Sequence, residues 1–321
     1  MEIFLIIMLN NLKIFVVIPA YNVKKHIIDV VESIPSFVDS IVVIDDACPQ
    51  QSGHYVKEQT DLNNLSVLFH AVNKGCGGAV ISGLRYALSN GADIVVKVDG
   101  DGQMDPNKIE KLVSPIINGV AGYTKGNRFK DHHKLRDMPK IRLFGNTILS
   151  FMMKVSSGYW NIMDPTNGFT AISKRSLEKL NLDNLSERYY YDPGMLVKLN
   201  IENVVVQDVD IPARYQNEES SLTVSQIIRE YPIMMIKSVF ERIFFKYYLY
   251  DFNMASIYIL IGLPLLLFGS IFGIIMWVNG AFNNEYNSVG TIMISVLSIT
   301  LGIQFLLQAI SIDIASTPKN N

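Results

Sequence analysis

Two long apolar runs near the C-terminus limit what this 321-residue chain can fold into more than any other feature. Residues 255–278 and residues 289–312 each contain over 20 residues without a charge. A helix of that length crosses a bilayer core of about 30 Å. The alternative is a buried helical hairpin in a soluble protein. We expect a transmembrane hairpin over residues 253–313 and a short tail over residues 314–321.

Basic residues flank the hairpin on both sides. Lys237, Arg242 and Lys246 precede the first run, Lys319 follows the second, and residues 280–287 between the runs contain no Lys or Arg. By the positive-inside rule, both flanks lie in the cytoplasm. The sequence therefore predicts an integral membrane protein, in the cytoplasmic membrane if the source is bacterial, whose N-terminal part is cytoplasmic.

The segment over residues 222–252 is rich in aromatic residues with basic residues between them. This pattern is typical of amphipathic helices that lie in the membrane interface. The alternative is a helix packed on the preceding domain. Residues 1–12 contain a short apolar run that lacks the basic region and the cleavage site of a signal peptide, and we expect an apolar leader or a peripheral strand there.

Composition excludes other classes of protein. A net charge of −2 argues against a nucleic-acid partner, which would favour a basic face. Cys48 and Cys76 are too few for a disulfide framework or a zinc site. The mean hydropathy of +0.22 arises mainly from the C-terminal quarter.

Residues 13–221 alternate between strand and helix patterns. Apolar runs predict buried strands at residues 14–18, 40–44, 67–69 and 93–98. Helical spacing over residues 24–34 and a helix ending near Ser89 separate some of these strands. This alternation predicts an α/β domain with a mostly parallel sheet and flanking helices.

Polar residues cluster where three of these strands end, at residues 19–22, 45–46 and 99–103. Ligands of open α/β sheets bind beyond the carboxyl ends of the strands. Asp99 and Asp101, with the amide of Gln103, supply the oxygen ligands that Mg²⁺ or Mn²⁺ prefers. We therefore expect a divalent metal as the counter-charge of the acidic cluster, and a phosphorylated ligand bound to the metal.

The glycine-rich segment over residues 74–78 precedes the helix that ends near Ser89. A helix N-terminus with a nearby lysine suits a diphosphate. The alternative is that Lys74 is a solvated loop lysine without a ligand. The segment lacks the Gly-Lys-Ser/Thr ending of a Walker A loop, and no dinucleotide-binding fingerprint is present.

The motifs VVIPAYN (16–22), VVIDDA (42–47), NKGCGGA (73–79), VKVDGDGQMDP (96–106) and GNR (126–128) together resemble those of the family 2 glycosyltransferases, which have the GT-A fold. MDPTNGF (163–169) and the terminal hairpin resemble the branch that includes dolichyl-phosphate mannose synthase and bacterial polyprenyl-phosphate glycosyltransferases. The resemblance covers roughly residues 13–250.

The resemblance implies a role for each matching residue. Nucleotide binding is implied for Pro19, Tyr21, Asn22, Asp45 or Asp46, Lys74 and Asp99, and metal binding for Asp99, Asp101 and Gln103. Arg128 and Arg142 would contact an acceptor phosphate, or would form surface salt bridges. The sugar pocket would be closed by Asp164, Asn167 and Gly168.

The chain departs from the family pattern at several positions. Thr170 stands where the branch often has Arg, and a lysine expected in the loop after Arg214-Tyr215 is missing. The signature of processive synthases is absent from the sequence, which disfavours polymer synthesis.

Three functions agree with these motifs. The first is an inverting transfer of a sugar from a UDP- or GDP-sugar to a polyprenyl phosphate, which needs no general base. The second is transfer to a hydroxyl of a lipid-linked glycan, with Asp192 as the base. The third is a membrane-anchored protein that binds nucleotide-sugars without catalysis. The sequence does not identify the sugar, and it is compatible with a homo-oligomer.

Overall fold

The computed structural model describes residues 11–128, 140–211 and 224–320. These residues form two compact units. The larger unit runs to Val239 and also takes in the residues from Pro318 onward, and the smaller unit is Phe240–Thr317. The predicted domain boundary at residue 221 lies outside the described residues, and the boundary at residue 252 stays a prediction.

The larger unit is built on a seven-stranded sheet. The strands are β1 (Ile14–Ala20), β2 (Ser40–Asp45), β3 (Leu65–Phe69), β4 (Ile94–Lys97), β5 (Tyr123–Asn127), β6 (Thr170–Ser173) and β7 (Val206–Asp210). Their order across the sheet is β3-β2-β1-β4-β6-β5-β7. Only β6 runs antiparallel to its neighbours, β4 and β5, among these strands. The prediction of a mostly parallel sheet is confirmed.

Helices cover both faces of this sheet. They are α1 (Ile27–Glu32), α2 (Ser52–Gln59), α3 (Cys76–Ser89), α4 (Ile109–Ile117), α5 (Lys140–Ser157), α6 (Lys174–Leu177) and α7 (Tyr191–Ile201). Short 3₁₀ turns lie at Pro106–Lys108 and Leu182–Asn184.

The continuous apolar run of β1 is buried on both sides, as a strand in the middle of a covered sheet requires. Phe15 and Val17 belong to the core cluster that includes α3 and α7. Ile14, Val16 and Ile18 belong to the cluster on the opposite face, which includes α1 and α4. The alternation of side chains along a strand therefore supplies two cores from one run of residues.

Helix α8 (Val224–Phe244) continues into a π-helical segment, Phe245–Tyr250, within the region predicted to lie in the membrane interface. The smaller unit then contains α9 (Met254–Asn283) and α10 (Val289–Ala315). Both helices are long and apolar enough to cross a membrane. Helix α9 extends its predicted span at both ends, and α10 begins at the predicted residue and extends its span at the C-terminal end.

Small residues line the contact between α9 and α10. An added Cβ at Gly269 would lie 2.8 Å from the Cβ of Ser298, and one at Gly273 would lie 2.3 Å from the Oγ of Ser295. The spacing of these two glycines therefore serves packing within the hairpin.

A buried ion pair joins two segments of the smaller unit, one before α9 and one near the end of α10. Arg242 donates from two nitrogens to the two carboxylate oxygens of Asp313, at 2.6 and 3.1 Å. The hydroxyl of Tyr247 also donates to Asp313, at 2.6 Å. This network satisfies a carboxylate on a largely apolar helix, and it ties the segment before the hairpin to the last turns of α10.

Candidate functional site

The three polar clusters predicted from the sequence lie at one edge of the sheet. Strand β1 pairs in parallel with β2 on one side and with β4 on the other, so the carboxyl ends of these strands are neighbours. Tyr21, directly after β1, exposes 47% of its surface. Asn22 adopts a positive φ of 58° and donates its backbone N–H to the sulfur of Cys48. Pro19 is half-buried within β1.

A buried lysine occupies the centre of this edge. Lys97 is the last residue of β4 and is only 4% exposed. Its Nζ lies 3.4 Å from Oδ1 of Asp99 and 3.3 Å from Oδ2 of Asp192. The ring of Tyr191 lies 5.9 Å from the same atom. The structure thus brings together two predicted site residues that are far apart in sequence.

The charge of Lys97 is stabilised by its two partners. Burial alone would lower the pKa of this ammonium, but Asp192 and Asp99 outweigh burial and raise the pKa well above its usual value. The sequence predicts a metal as the counter-charge of the acidic cluster. The structure places a protein cation, the ammonium of Lys97, beside Asp99.

Asp99 and Asp101 suit a divalent cation. Oδ1 of Asp99 is buried and receives no hydrogen bond, although the Lys97 ammonium lies nearby. Asp101 accepts a bond from the backbone N–H of Gln103 at 3.0 Å, in a turn where Gly102 has a φ of 78°. No group of three or more His, Cys, Asp or Glu side chains that could hold a metal occurs among the described residues. A cation here would take further ligands from a substrate or from water.

Asp45 and Asp46 are both buried, at 4% and 2% exposure. Asp45 accepts bonds from the backbone N–H groups of Cys48 and Gly53, each at 2.7 Å. Asp46 pairs with Nδ1 of His70 at 2.6 Å. These bonds fix the loops after β2 and leave the carboxylates little surface for a ligand. Their predicted role in nucleotide binding stays a prediction.

Three backbone donors of the glycine-rich segment, those of Lys74, Gly75 and Gly78, are used within the protein. The N–H groups of Lys74 and Gly75 donate to Asp46 at 2.9 and 2.8 Å. The N–H of Gly78 donates to the carbonyl of Glu187 at 2.8 Å. A diphosphate at this segment would therefore meet the exposed side chain of Lys74, while these three N–H groups are directed to other parts of the protein.

Glycine is needed in this segment because another part of the chain packs against it. An added Cβ at Gly77 would lie 2.3 Å from the carbonyl oxygen of Ser186 and 2.8 Å from the Cβ of Tyr191. The segment over residues 186–188 thus lies directly on the start of α3. The same segment continues along the chain into α7, and Asp192 lies in the first turn of that helix.

Arg128 and Asp164 form a bidentate ion pair. Nε and one terminal nitrogen of Arg128 donate to the two oxygens of Asp164, at 2.7 and 3.0 Å. Asp164 is fully buried, and the side chain of Arg128 is 32% exposed. Both members of the pair are predicted site residues, and the carboxylate of Asp164 fixes the orientation of the Arg128 guanidinium. Arg142 lies in α5, but its side chain falls outside the described residues, as does the loop after residue 211.

The loop over residues 163–169 is held by buried polar side chains. Asn167 donates to the carbonyl of Gly126 at 2.7 Å and accepts from the N–H of Phe169 at 3.0 Å. The buried ammonium of Lys125 donates to the backbone carbonyl of Asn167. Next to Asn167, Gly168 packs against the carboxylate of Asp99. The loop therefore reaches the acidic cluster.

Asp208 supports the start of the same loop, although no sequence motif pointed to it. It accepts a bond from the N–H of Met163 at 2.7 Å, and burial raises its pKa to about 6. Nothing in its sequence context on β7 distinguishes it from a surface carboxylate. Lys97 did leave a signal, because it is a charged residue within an otherwise apolar strand.

A family model described as glycosyl transferase family 2 matches residues 15–181. The chain is 34% identical over 215 residues to a UDP-N-acetylglucosamine–dolichyl-phosphate N-acetylglucosaminyltransferase of Methanococcus voltae, covering 61% of this chain and 85% of the relative. It is 25% identical to a dolichol-phosphate mannosyltransferase of Pyrococcus furiosus, covering 72% of this chain and 66% of the relative.

Among solved structures, glucosyl-3-phosphoglycerate synthase of Mycobacterium tuberculosis, crystallised with Mn²⁺, UDP-glucose and phosphoglyceric acid, has a similar fold. The TM-score is 0.53 at 18% identity, and the match covers 74% of this chain and 82% of that one. At this identity the likeness establishes the fold alone.

The contact at Gly77 predicts the effect of one added methyl group. In Gly77→Ala, the Cβ would overlap the backbone of Ser186, so the segment over residues 186–188 must shift. We expect a loss of stability of about 1–3 kcal/mol, typical of overpacking. We also expect faster tryptic cleavage after Arg188. Thermal unfolding and timed proteolysis of the full chain in detergent measure the two effects.

Gly194→Ala is the matched control. Gly194 lies in α7, and its added Cβ would make only ordinary contacts with Tyr190, at 3.6 Å or more. Alanine favours a helix over glycine, so this variant should be as stable as the parent or slightly more stable. Equal stability and equal cleavage in the two variants would contradict the described packing.

Proposed function

The chain belongs to glycosyl transferase family 2, and we propose that it transfers a sugar from a nucleotide-sugar to a polyprenyl phosphate at the cytoplasmic face of a membrane. The observation that carries this proposal is the 34% identity to the Methanococcus voltae enzyme, over 85% of that relative's length. That relative and the Pyrococcus furiosus relative are both named for transfer to a dolichyl phosphate.

The two apolar helices support a lipid acceptor. Helices α9 and α10 are 30 and 27 residues long, which exceeds what a bilayer core requires. Most of their large apolar side chains are exposed in the protein, as lipid-facing residues would be. We propose that they anchor the chain in the membrane, with α8 and the following segment at its surface.

In the proposed mechanism, the acidic cluster binds a metal ion and the residues around it bind the nucleotide-sugar. Asp99, Asp101 and Gln103 would hold a Mg²⁺ or Mn²⁺ ion. When bound, such an ion neutralises charge that develops on the departing nucleoside diphosphate. The exposed side chain of Lys74 would contact the same diphosphate, and Tyr21 would provide an exposed surface for the nucleotide.

The acceptor side of the site needs no proton transfer if the acceptor is a phosphate, because that group is already anionic near neutral pH. The Asp164 carboxylate orients Arg128, and guanidinium groups bind phosphate oxygens well. We propose that Arg128 and Arg142 contact the lipid phosphate. Asn167 and Gly168, in the loop that reaches Asp99, would close the sugar pocket.

Transfer of a radiolabelled sugar tests the function. Membranes containing the full chain are supplied with UDP-N-acetylglucosamine or GDP-mannose, Mn²⁺ or Mg²⁺, and undecaprenyl or dolichyl phosphate. We expect a metal-dependent lipid product that mild acid cleaves, because a sugar joined to a lipid phosphate is acid-labile. The Asp101→Ala protein should form no such product. Label in an acid-stable glycan, or no transfer with any donor, would contradict the proposal.

The alternative acceptor, a glycan hydroxyl, predicts a different response at Asp192. A hydroxyl must lose its proton, so Asp192→Asn would then lower turnover by about 10²-fold or more. For a phosphate acceptor we expect turnover within about tenfold of the parent protein. The comparison is made at saturating Mn²⁺ with donor binding measured separately, so that an effect on binding is not read as one on proton transfer.

A further inference from the structure

Neither the family match nor the named relatives assign a role to Lys97. Its ammonium is buried against Asp99, a proposed metal ligand, and Asp192, which lies on another element. It is therefore the protein's own cation within the site where a metal cation is expected. Because the Lys97 ammonium and the expected metal ion would both lie next to Asp99, the charge of the lysine affects the affinity of the site for the metal.

The surroundings of Lys97 leave it little freedom. The side chain is 4% exposed, and an added Cβ at Gly168 would lie 2.7 Å from Nζ and 2.6 Å from Oδ2 of Asp99. The ring of Tyr191 borders the same ammonium. Since the ammonium cannot move into solvent without breaking this packing, its charge stays at a fixed place next to Asp99.

We propose that Lys97 is a positioning residue that holds Asp192 away from the metal and limits how tightly the metal binds at Asp99 and Asp101. Lys97, Asp99 and Asp192, the charged trio, carry one net negative charge. Without the ammonium, Asp192 would be an unpaired carboxylate beside the metal site. It would attract the metal and pull it from the position that transfer needs.

According to the proposal, the site binds a metal ion more tightly as the net charge of the charged trio becomes more negative. Lys97→Met keeps the side-chain length but leaves two net negative charges, Asp192→Asn leaves none, and the double variant restores the single negative charge of the parent. Because a nearby charge acts strongly in a partly buried site, we expect each unit of charge to change Mn²⁺ affinity about fivefold or more.

Binding of Mn²⁺ alone to the full chain in detergent, followed by the EPR signal of free Mn²⁺ at one pH and ionic strength, is the test. We expect Lys97→Met to bind Mn²⁺ more tightly than the parent, the double variant to match the parent within about twofold, and Asp192→Asn to bind more weakly. Lys97→Met should also transfer sugar at least tenfold more slowly at saturating Mn²⁺.

A purely structural role for Lys97 gives another pattern. Loss of packing would weaken Mn²⁺ binding in Lys97→Met and in the double variant alike, and that result would overturn the proposal. If Lys97→Met fails to fold, the charge-matched double variant and Asp192→Asn still decide. Binding by Asp192→Asn at or above the parent affinity would also overturn it.

This inference rests on the metal site of the proposed function, and Asp101→Ala separates the two. If Asp101→Ala binds Mn²⁺ as tightly as the parent, the proposed metal site itself is wrong. If Asp101→Ala loses Mn²⁺ but affinity does not follow the charge of the trio, only the role of Lys97 is wrong.

Discussion

The pairing of one buried ammonium with two carboxylates is the interaction on which the rest of the site depends. Lys97 would be too costly to bury alone, and Asp99 and Asp192 would repel each other if they shared the site without it. The pairing therefore requires β4 and the first turn of α7 to come together. It links the proposed metal ligands to the element that carries the candidate base.

Hydrogen bonds around this interaction hold the neighbouring loops in place. Asp45 and Asp46 hold the loops after β2 through backbone bonds, and the carbonyl of Glu187 accepts from the N–H of Gly78. In the folded chain, Asp45 and Asp46 thus also position neighbouring backbone segments. Such preorganisation lowers the cost of fixing a flexible nucleotide-sugar.

Much of the fold followed from the sequence because its signals are local. The apolar run of β1 and the long runs of α9 and α10 each specify their element without reference to distant residues. The shared edge of the polar clusters followed from parallel pairing. The pairing of Lys97 with Asp192 could not be predicted, because the two residues are 95 positions apart and only the packing of α7 joins them. Likewise, no local pattern indicated that Asp164 is the partner of Arg128.

A structure of the full chain with Mn²⁺ and UDP bound would show directly which carboxylates the metal takes and where the buried ammonium lies. We expect a metal held by Asp99 and Asp101 together with the diphosphate, while Nζ of Lys97 stays within hydrogen-bonding reach of Asp192. A metal ligated by Asp192, with Lys97 displaced from it, would contradict the role of the buried ammonium in keeping that carboxylate away from the metal. A metal bound away from Asp99 and Asp101 would contradict the proposed site as a whole.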